Sequence, residues 1–170
     1  MMEFVYAYAY FILYAFLGWV CEDLYCGIPA KKFINRGFFY GPYCPIYGVG
    51  ALLVLYPLLF VKDYPILVFV LGVIITSTLE YITSWVMEIL FKTRWWDYSE
   101  RFMNINGRVC LLNSTLFGIM SIVVVYIIHP VIQDIVMDIP FTALMSFLSA
   151  FTIGFGIDCV FTVLALLRRK

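Results

Sequence analysis

Charged residues are scarce in this chain. Of its 170 residues only 13% are charged, whereas 64% are hydrophobic, and the mean hydropathy is +0.97. Soluble domains carry about 25% charged residues, so a soluble globular fold is excluded. The formal net charge is +0, and no overall basic field favours nucleic acid as a partner. The lipid bilayer is therefore the first partner that we expect.

Residues and motifs that carry common enzymatic or metal chemistry are also few. His129 is the single histidine, and the five cysteines include no Cys-x-x-Cys pair, which argues against a zinc site. The sequence contains no G-x-x-x-x-G-K-[ST], H-E-x-x-H or G-x-S-x-G motif, the patterns of P-loop ATPases, zinc peptidases and serine hydrolases. We expect no cofactor and no metal, and no pattern argues for an enzyme.

Long apolar runs are what the chain has in abundance. Five of them are long enough to cross a hydrocarbon core of about 30 Å, namely residues 4–25, 42–61, 65–91, 110–129 and 141–167. The second run is interrupted by several prolines and glycines. The pattern predicts one all-α, polytopic transmembrane domain of five helices over residues 1–170, with linkers that include 130–140.

The basic residues predict the orientation of these helices. All lysines and arginines except Lys62 fall in the first linker, the third linker or the C-terminal tail. These three regions lie on one side of a five-helix path, and the positive-inside rule makes that side cytoplasmic. The N-terminus is therefore predicted outside and the C-terminus inside.

An internal repeat is also predicted. A shift of 66 residues in register places Trp19–Glu22 (WVCE) on Trp85–Glu88 (WVME), and without a gap it also aligns Cys44 with Cys110. Two helices separate the copies, so both run in the same direction. We predict two parallel helix-loop-helix repeats followed by a fifth helix, an arrangement found among transporters. Coincidence in a biased composition is the alternative.

Acidic residues inside the apolar runs are the main candidates for function. Glu80, Ser84 and Glu88 share one helical stripe, and a carboxylate in a bilayer core is costly unless it is paired, protonated or wetted. We predict a polar pocket that faces the cytoplasm. Its predicted substrate or ion pathway comprises Glu22, Arg36, Glu80, Ser84, Glu88, Arg108 and Asp158. The alternative is that these residues form ion pairs that only hold helices to loops, with Glu80 protonated or hydrogen-bonded.

Two further segments complete the predicted site. The entry to the second helix is predicted to be broken or unwound at Gly41, Pro42, Pro45 and Gly48, because proline removes backbone donors and glycine permits turns. Aromatic residues mix with both charge signs in Arg94, Trp95, Trp96, Asp97 and Tyr98. This second segment is predicted to lie at the membrane interface or to dock a partner.

Several of these motifs together resemble a known family. They are Trp19-x-x-Glu22, N-R-G-F-x-Y-G-P-x-x-P-I-Y-G from Asn35 to Gly48, E-Y-x-T-S from Glu80 to Ser84, R-W-W-D-Y-S from Arg94 to Ser99, and N-x-x-G-R-V-C from Asn104 to Cys110. The chain resembles the Putative ABC-transporter type IV (CmpB-like) family of small bacterial membrane proteins. The resemblance implies a permease subunit in the bacterial plasma membrane, with a separate ATPase subunit and a homo-oligomer or larger complex as expected partners.

The sequence leaves three functions open. The first is a transporter or permease subunit for a small polar or ionic solute, without an ATPase of its own. The second is a non-transporting membrane scaffold or regulator whose polar residues form structural ion pairs. The third is a membrane enzyme that acts on a lipid head group, with Glu22 or Glu88 as its catalytic acid.

Overall fold

The computed structural model describes residues 2–31 and 38–168, and helices dominate this range. They are α1 (Met2–Ala30), α2 (Pro45–Leu58), α3 (Pro65–Phe91), α4 (Leu111–Val123), α5 (His129–Asp138) and α6 (Phe141–Leu167). A 3₁₀ turn at Leu59–Val61 extends α2, and a π-helical turn at Val124–Ile128 joins α4 to α5. Within the described range, pairing of β type is limited to an isolated bridge between Ile105 and Val109. The all-α class is confirmed.

Four helical segments are long and apolar enough to cross a membrane. They are Met2–Leu24, Pro65–Phe91, Leu111–Asp138 and Phe141–Leu167, and a shorter apolar helix covers Pro45–Val61. The shorter helix corresponds to the second predicted span, the one that prolines and glycines interrupt. The chain is therefore a polytopic helical membrane protein, as predicted.

Several helix boundaries differ from the predicted spans. Helix α1 continues past Tyr25 to Ala30, and the linker predicted from Pro130 to Pro140 shrinks to Ile139 and Pro140 because α5 occupies most of it. Pro130 lacks an N–H group and its ring crowds the carbonyl of the preceding turn. The π-helical turn directly before α5 widens the helix at that place, so the helix passes the proline instead of ending there.

The chain divides into two compact units. The first consists of Met1–Val49 and Asp134–Lys170, and the second of Gly50–Gln133. In the first unit, Cys44 N–H donates to the carbonyl of Ala15 at 2.9 Å. A Cβ on Gly48 would lie only 2.5 Å from the carbonyl oxygen of Phe11. The start of α2 therefore packs against the backbone of α1, which a larger residue at position 48 would prevent.

In the second unit, α3 and α4 pack through small residues. A Cβ added to Gly72 would lie 2.5 Å from Ser121, and one added to Gly118 would lie 2.5 Å from Val73. Small residues let membrane helices approach closely, and hydroxyl groups then bond across the interface. Ser77 and Ser114, for example, are joined by a 2.7 Å hydrogen bond. The buried residues of α3 include Val68, Gly72, Glu80 and Ser84, which are spaced four or eight residues apart and therefore share one face of the helix.

Candidate functional site

The polar stripe of α3 consists of Glu80, Ser84 and Glu88. Glu80 is 6% exposed and Ser84 is 4% exposed, whereas the side chain of Glu88, near the end of the helix, is 33% exposed. Each step of four residues advances about 6 Å along a helix, so the stripe covers about 12 Å of α3. It joins the solvent-accessible end of the helix to a carboxylate two turns deeper.

Two arginines from the loop after α3 hold the outer end of this stripe. Arg94 Nε donates to Oε1 of Glu88 at 3.1 Å, and Arg108 Nη2 donates to Oε2 at 2.5 Å. Arg108 is 8% exposed, and its Nη1 also donates to Ser84 Oγ at 3.1 Å. Its guanidinium carbon lies 5.7 Å from the ring centroid of Tyr81, within the range of a cation–π contact. The planar fork of arginine lets one side chain bind two residues of the stripe at once.

The loop that carries these arginines is itself folded. Tyr98 N–H donates to the carbonyl of Gly107 at 2.7 Å, and Trp96 Nε1 donates to the carbonyl of Arg108 at 2.9 Å. Gly107 has a backbone φ of +69°, a conformation that residues with a Cβ atom rarely adopt. These contacts fix the main chain next to Arg108, so the arginine is presented to α3 by a structured loop.

Tyr98 connects this loop to the deepest acid of the stripe. Its hydroxyl group donates to Oε1 of Glu80 at 3.2 Å, and its side chain also bonds to that of Asn113. Burial and the nearby charge of Glu80 raise the pKa of Tyr98, so the phenol keeps its proton at neutral pH. The loop therefore reaches two turns down α3 and supplies a hydrogen-bond donor there.

The remaining residues of the predicted interfacial segment make local contacts. The ring of Trp95 meets the ring of Phe91 edge-on at 5.8 Å. Asp97 accepts hydrogen bonds from the N–H and the hydroxyl group of Ser99, which lower the pKa of Asp97. Trp96 and Tyr98 thus contact other parts of the second unit, and the exposed Arg94 pairs with Glu88. Asp97 and Trp95 contact neighbours in sequence.

The first unit contains another carboxylate with several hydrogen bonds, that of the half-buried Asp158 of α6. Its Oδ1 accepts from Tyr40 N–H at 3.2 Å and from Thr162 Oγ1 at 2.8 Å. Its Oδ2 accepts from Gly41 N–H at 2.7 Å and from the hydroxyl group of Tyr43. Asp158 therefore holds the segment before α2 through neutral donors.

Glu22 of α1 is held in a similar way. The hydroxyl group of Tyr47 donates to Glu22 Oε2 at 2.5 Å, and Gly18 lies directly beneath the Tyr47 ring. Cys44, which directly precedes α2, is also buried.

The predicted pathway residues divide between the two units. The second unit brings Ser84, Glu88 and Arg108 into contact and places Glu80 on the same helix face. Glu22 and Asp158 lie in the first unit, and Arg36 falls outside the described residues.

The residues of the predicted helix break have separate positions. Gly41 donates to Asp158, Pro42 is exposed, Pro45 begins α2, and Gly48 lies against Phe11 of α1.

Sequence reasoning missed the partners of the first unit's acids. Thr162 had a usable signal, because it follows Asp158 by four residues on the same helix and can reach it. Tyr43 and Tyr47 gave no signal, since tyrosine is common throughout this chain. In residues 2–31 and 38–168 no group of three or more His, Cys, Asp or Glu is placed to hold a metal ion.

Comparison with protein families matches residues 9–163 to the family described as Putative ABC-transporter type IV. Neither the curated proteins nor the solved structures that were compared give a match to the chain. The family match covers most of the 170 residues and includes both units' carboxylate contacts. The chain therefore belongs to the Putative ABC-transporter type IV family.

Proposed function

We propose that the chain is the membrane-spanning subunit of a transport system for a small polar or ionic solute. The observation that carries this proposal is Glu80, a carboxyl group only 6% exposed inside a membrane-spanning helix. Ionisable groups at such positions are costly and commonly mark ion, proton or substrate pathways. The family description supports the same function.

The stripe of α3 offers a way to exchange a solute. Arg108 binds Glu88 and Ser84 through separate nitrogens, so an anionic or zwitterionic solute can replace Glu88 at one end of the fork. Glu80 lies two turns deeper and can carry the proton of a coupled step. Tyr98 donates to Glu80 from the loop, and movement of this loop would then open the stripe to the solute.

The energy for transport has to come from outside this chain if ATP is used. The sequence contains no P-loop motif, so a separate ATPase subunit would supply hydrolysis, and a second copy of the chain would complete the permease. The loop containing Arg94–Tyr98 is the proposed docking region. A proton gradient is the alternative energy source.

The proposed location is the bacterial plasma membrane, with the N-terminus outside and the C-terminus in the cytoplasm. The distribution of lysine and arginine supports this orientation. Asp134 and Arg94 are both exposed, so single cysteines at these sites can be labelled with a membrane-impermeant maleimide in intact cells. Labelling is expected at position 134 and not at position 94, with the parent chain as the control for its own cysteines. The reverse pattern would overturn the orientation.

Transport is best tested in membrane vesicles from the host, because these retain any ATPase partner. Vesicles with and without the chain are supplied with ATP or a proton gradient and with a panel of radiolabelled amino acids, phosphate and sulfate. Uptake of at least one solute is expected to depend on the chain and to fall at least tenfold in Glu80→Gln. Glu100→Gln, which changes an exposed loop residue, is the matched control. Identical uptake of the whole panel without the chain would contradict the proposal.

A scaffold or regulator is the second candidate, and one observation favours it. Both oxygens of Glu88 accept from arginines, as in a structural ion pair. The double substitution Glu88→Arg with Arg108→Glu, made in an Arg94→Gln background so that no second arginine faces position 88, separates the two functions, because it keeps the pair of positions 88 and 108 and reverses its direction. Restored folding together with full activity would indicate a structural pair, whereas restored folding without activity would indicate that Arg108 binds the solute.

A further inference from the structure

An open groove runs along the second half of α6 in the first unit. Its volume is about 780 Å³, within the range of about 300–1,000 Å³ that ligand sites usually have. One wall is α6 from Phe151 to Arg168, and the other is the segment Tyr40–Tyr43. Side chains around it on α6 are strongly exposed, with Phe161 at 64%. On a membrane-spanning helix such a surface faces lipid or a partner, not water.

At the end of the groove formed by Phe151 and Phe155, the wall is a cluster of aromatic rings in mutual contact. Phe155 lies 5.2 Å from Phe39 and 5.3 Å from Tyr43, measured between ring centroids. Phe151 stacks on Phe155 at 5.9 Å and meets Tyr43 at 5.6 Å. Aromatic pairs at these separations favour each other. The wall is therefore apolar and held in shape by its own contacts.

Gly154 lies on the open side of the groove. A Cβ at position 154 would have no heavy atom within 4 Å, and the same holds at position 156. Only Gly154 of the two lines the groove. A larger residue at position 154 would therefore occupy part of the groove without a clash, whereas one at position 156 would not.

Asp158 lies in this groove, but its hydrogen-bonding capacity is used within the protein. Each of its two oxygens accepts from two donors, which are Tyr40 N–H, Gly41 N–H, the Tyr43 hydroxyl group and the Thr162 hydroxyl group. A carboxylate held in this way is stabilised without a cation. An apolar ligand next to Asp158 would leave no polar group without a hydrogen bond, whereas a cation would have to compete with the four hydrogen bonds that Asp158 already accepts.

Positive charge lies at the other end. Arg168 lines the groove directly after the last residue of α6 and is exposed, and the sequence continues with two more basic residues. From Gly154 to Arg168 the helix rises about 21 Å. One leaflet of hydrocarbon is about 15 Å thick, half of the bilayer core. The head-group region adds about 5–7 Å to each leaflet, so a phospholipid with its phosphate at the level of Arg168 reaches Gly154 with the end of an acyl chain.

We infer that this groove binds one anionic phospholipid, with an acyl chain along the aromatic wall and the phosphate at Arg168. Basic residues at the end of a membrane helix attract anionic head groups, and the apolar wall supplies the complementary surface for the chain. The inference concerns α6 and does not depend on which solute the stripe of α3 handles.

Native mass spectrometry of the delipidated, purified chain in detergent tests this inference. Phosphatidylglycerol and phosphatidylcholine with identical acyl chains are titrated separately. One phosphatidylglycerol is expected to bind at least tenfold more tightly than phosphatidylcholine. Gly154→Leu should weaken that binding at least tenfold, and Gly156→Leu should leave it unchanged. Both substitutions raise the intrinsic helix propensity by the same amount. The difference between them is that only the leucine at position 154 would fill part of the groove.

A second variant tests the head-group contact. Arg168→Gln should lower the affinity for phosphatidylglycerol about fivefold, the contribution of one basic residue near an anionic lipid, and leave phosphatidylcholine unaffected. Equal binding of both lipids in all variants would overturn the inference, since the lipid would then be a non-specific annular one. Binding of tetraethylammonium that Asp158→Asn abolishes would also overturn it, because the groove would then be a site for organic cations.

Discussion

The two units hold the acids of their membrane helices by different means. Glu22 and Glu88 occupy corresponding positions of the predicted repeat, in WVCE and WVME. Glu22 accepts from the neutral phenol of Tyr47, whereas Glu88 accepts from Arg94 and Arg108. Asp158, also in the first unit, resembles Glu22 in this respect, since all four of its donors are uncharged.

This difference indicates what each unit can do. Neutral donors, two of them main-chain N–H groups, tie an acid to a fixed backbone and leave little freedom to exchange partners. An arginine on a loop can release one carboxylate and bind another of similar geometry. The second unit is therefore the better candidate for handling a charged solute, and the first unit is the better candidate for a fixed support.

The largest effect is expected from removing the acid that neutral donors hold. Asp158→Ala removes the acceptor of four hydrogen bonds, from Tyr40 N–H, Gly41 N–H and the hydroxyl groups of Tyr43 and Thr162, at a cost of about 1 kcal/mol for each bond. The melting temperature of the chain in detergent should fall by roughly 10 °C. Asp158→Asn keeps one acceptor oxygen and should lose about half as much. Asp134→Ala, at an exposed site, is the control, and an equal loss there would show that the four bonds do not stabilise the fold.

A smaller loss is expected in the second unit. Arg108→Leu removes one partner of Glu88, but Arg94 stays, and Glu88 is exposed enough to be hydrated. The melting temperature should fall by roughly 2–4 °C, less than in Asp158→Ala. Arg108→Lys should recover part of the loss only, because an ammonium group cannot present the arginine fork to Ser84 and Glu88 together. Full recovery by lysine would mean that charge alone matters and would weaken the contrast between the units.

A good part of this architecture could be predicted from the sequence. Hydropathy and length predict the membrane helices, because a membrane span needs about 20 apolar residues. The four-residue spacing of Glu80, Ser84 and Glu88 predicts their common face. The continuation of the helical path from α4 through α5 could not be predicted, since Pro130 usually ends a helix and the π-helical turn before it lets the path continue.

The partners of the acids were harder to predict than the acids. Glu80 is recognisable because a carboxylate stands out in an apolar run, but its donor Tyr98 lies in the next loop and looks like one more interfacial aromatic residue. The repeat remains a prediction. Cys44 and Cys110 each directly precede a helix, α2 and α4, yet Tyr47 corresponds to Asn113, and the two residues bond to different groups.

Tyr98→Phe tests the neutral contact between the loop and Glu80 in the second unit. It removes the hydrogen bond to Glu80 and keeps the ring, so the free energy of unfolding should fall by about 1 kcal/mol. Chemical denaturation followed by circular dichroism measures it, with Tyr64→Phe at an exposed site as the control. If the loop gates the stripe, solute uptake should change more than stability does. A loss of stability as large as that of Asp158→Ala would mean that Tyr98 is a fixed structural contact, like those of Asp158, and not a movable one.

The smallest effects, and opposite signs, are expected at two glycines that differ only in their surroundings. Gly154→Ala on α6 meets open space and should raise the free energy of unfolding by up to about 1 kcal/mol, the difference in helix propensity. Gly118→Ala gains the same propensity, but its Cβ would lie 2.5 Å from Val73 and 2.7 Å from Phe69, and overpacking of this kind costs about 1–3 kcal/mol. Its net effect should be destabilising. Because the two changes are chemically identical, stabilisation by both would mean that α4 is as free of neighbours as α6, and the tight α3–α4 packing that positions the stripe would have to be abandoned. Destabilisation by both would mean that position 154 of α6 is not open.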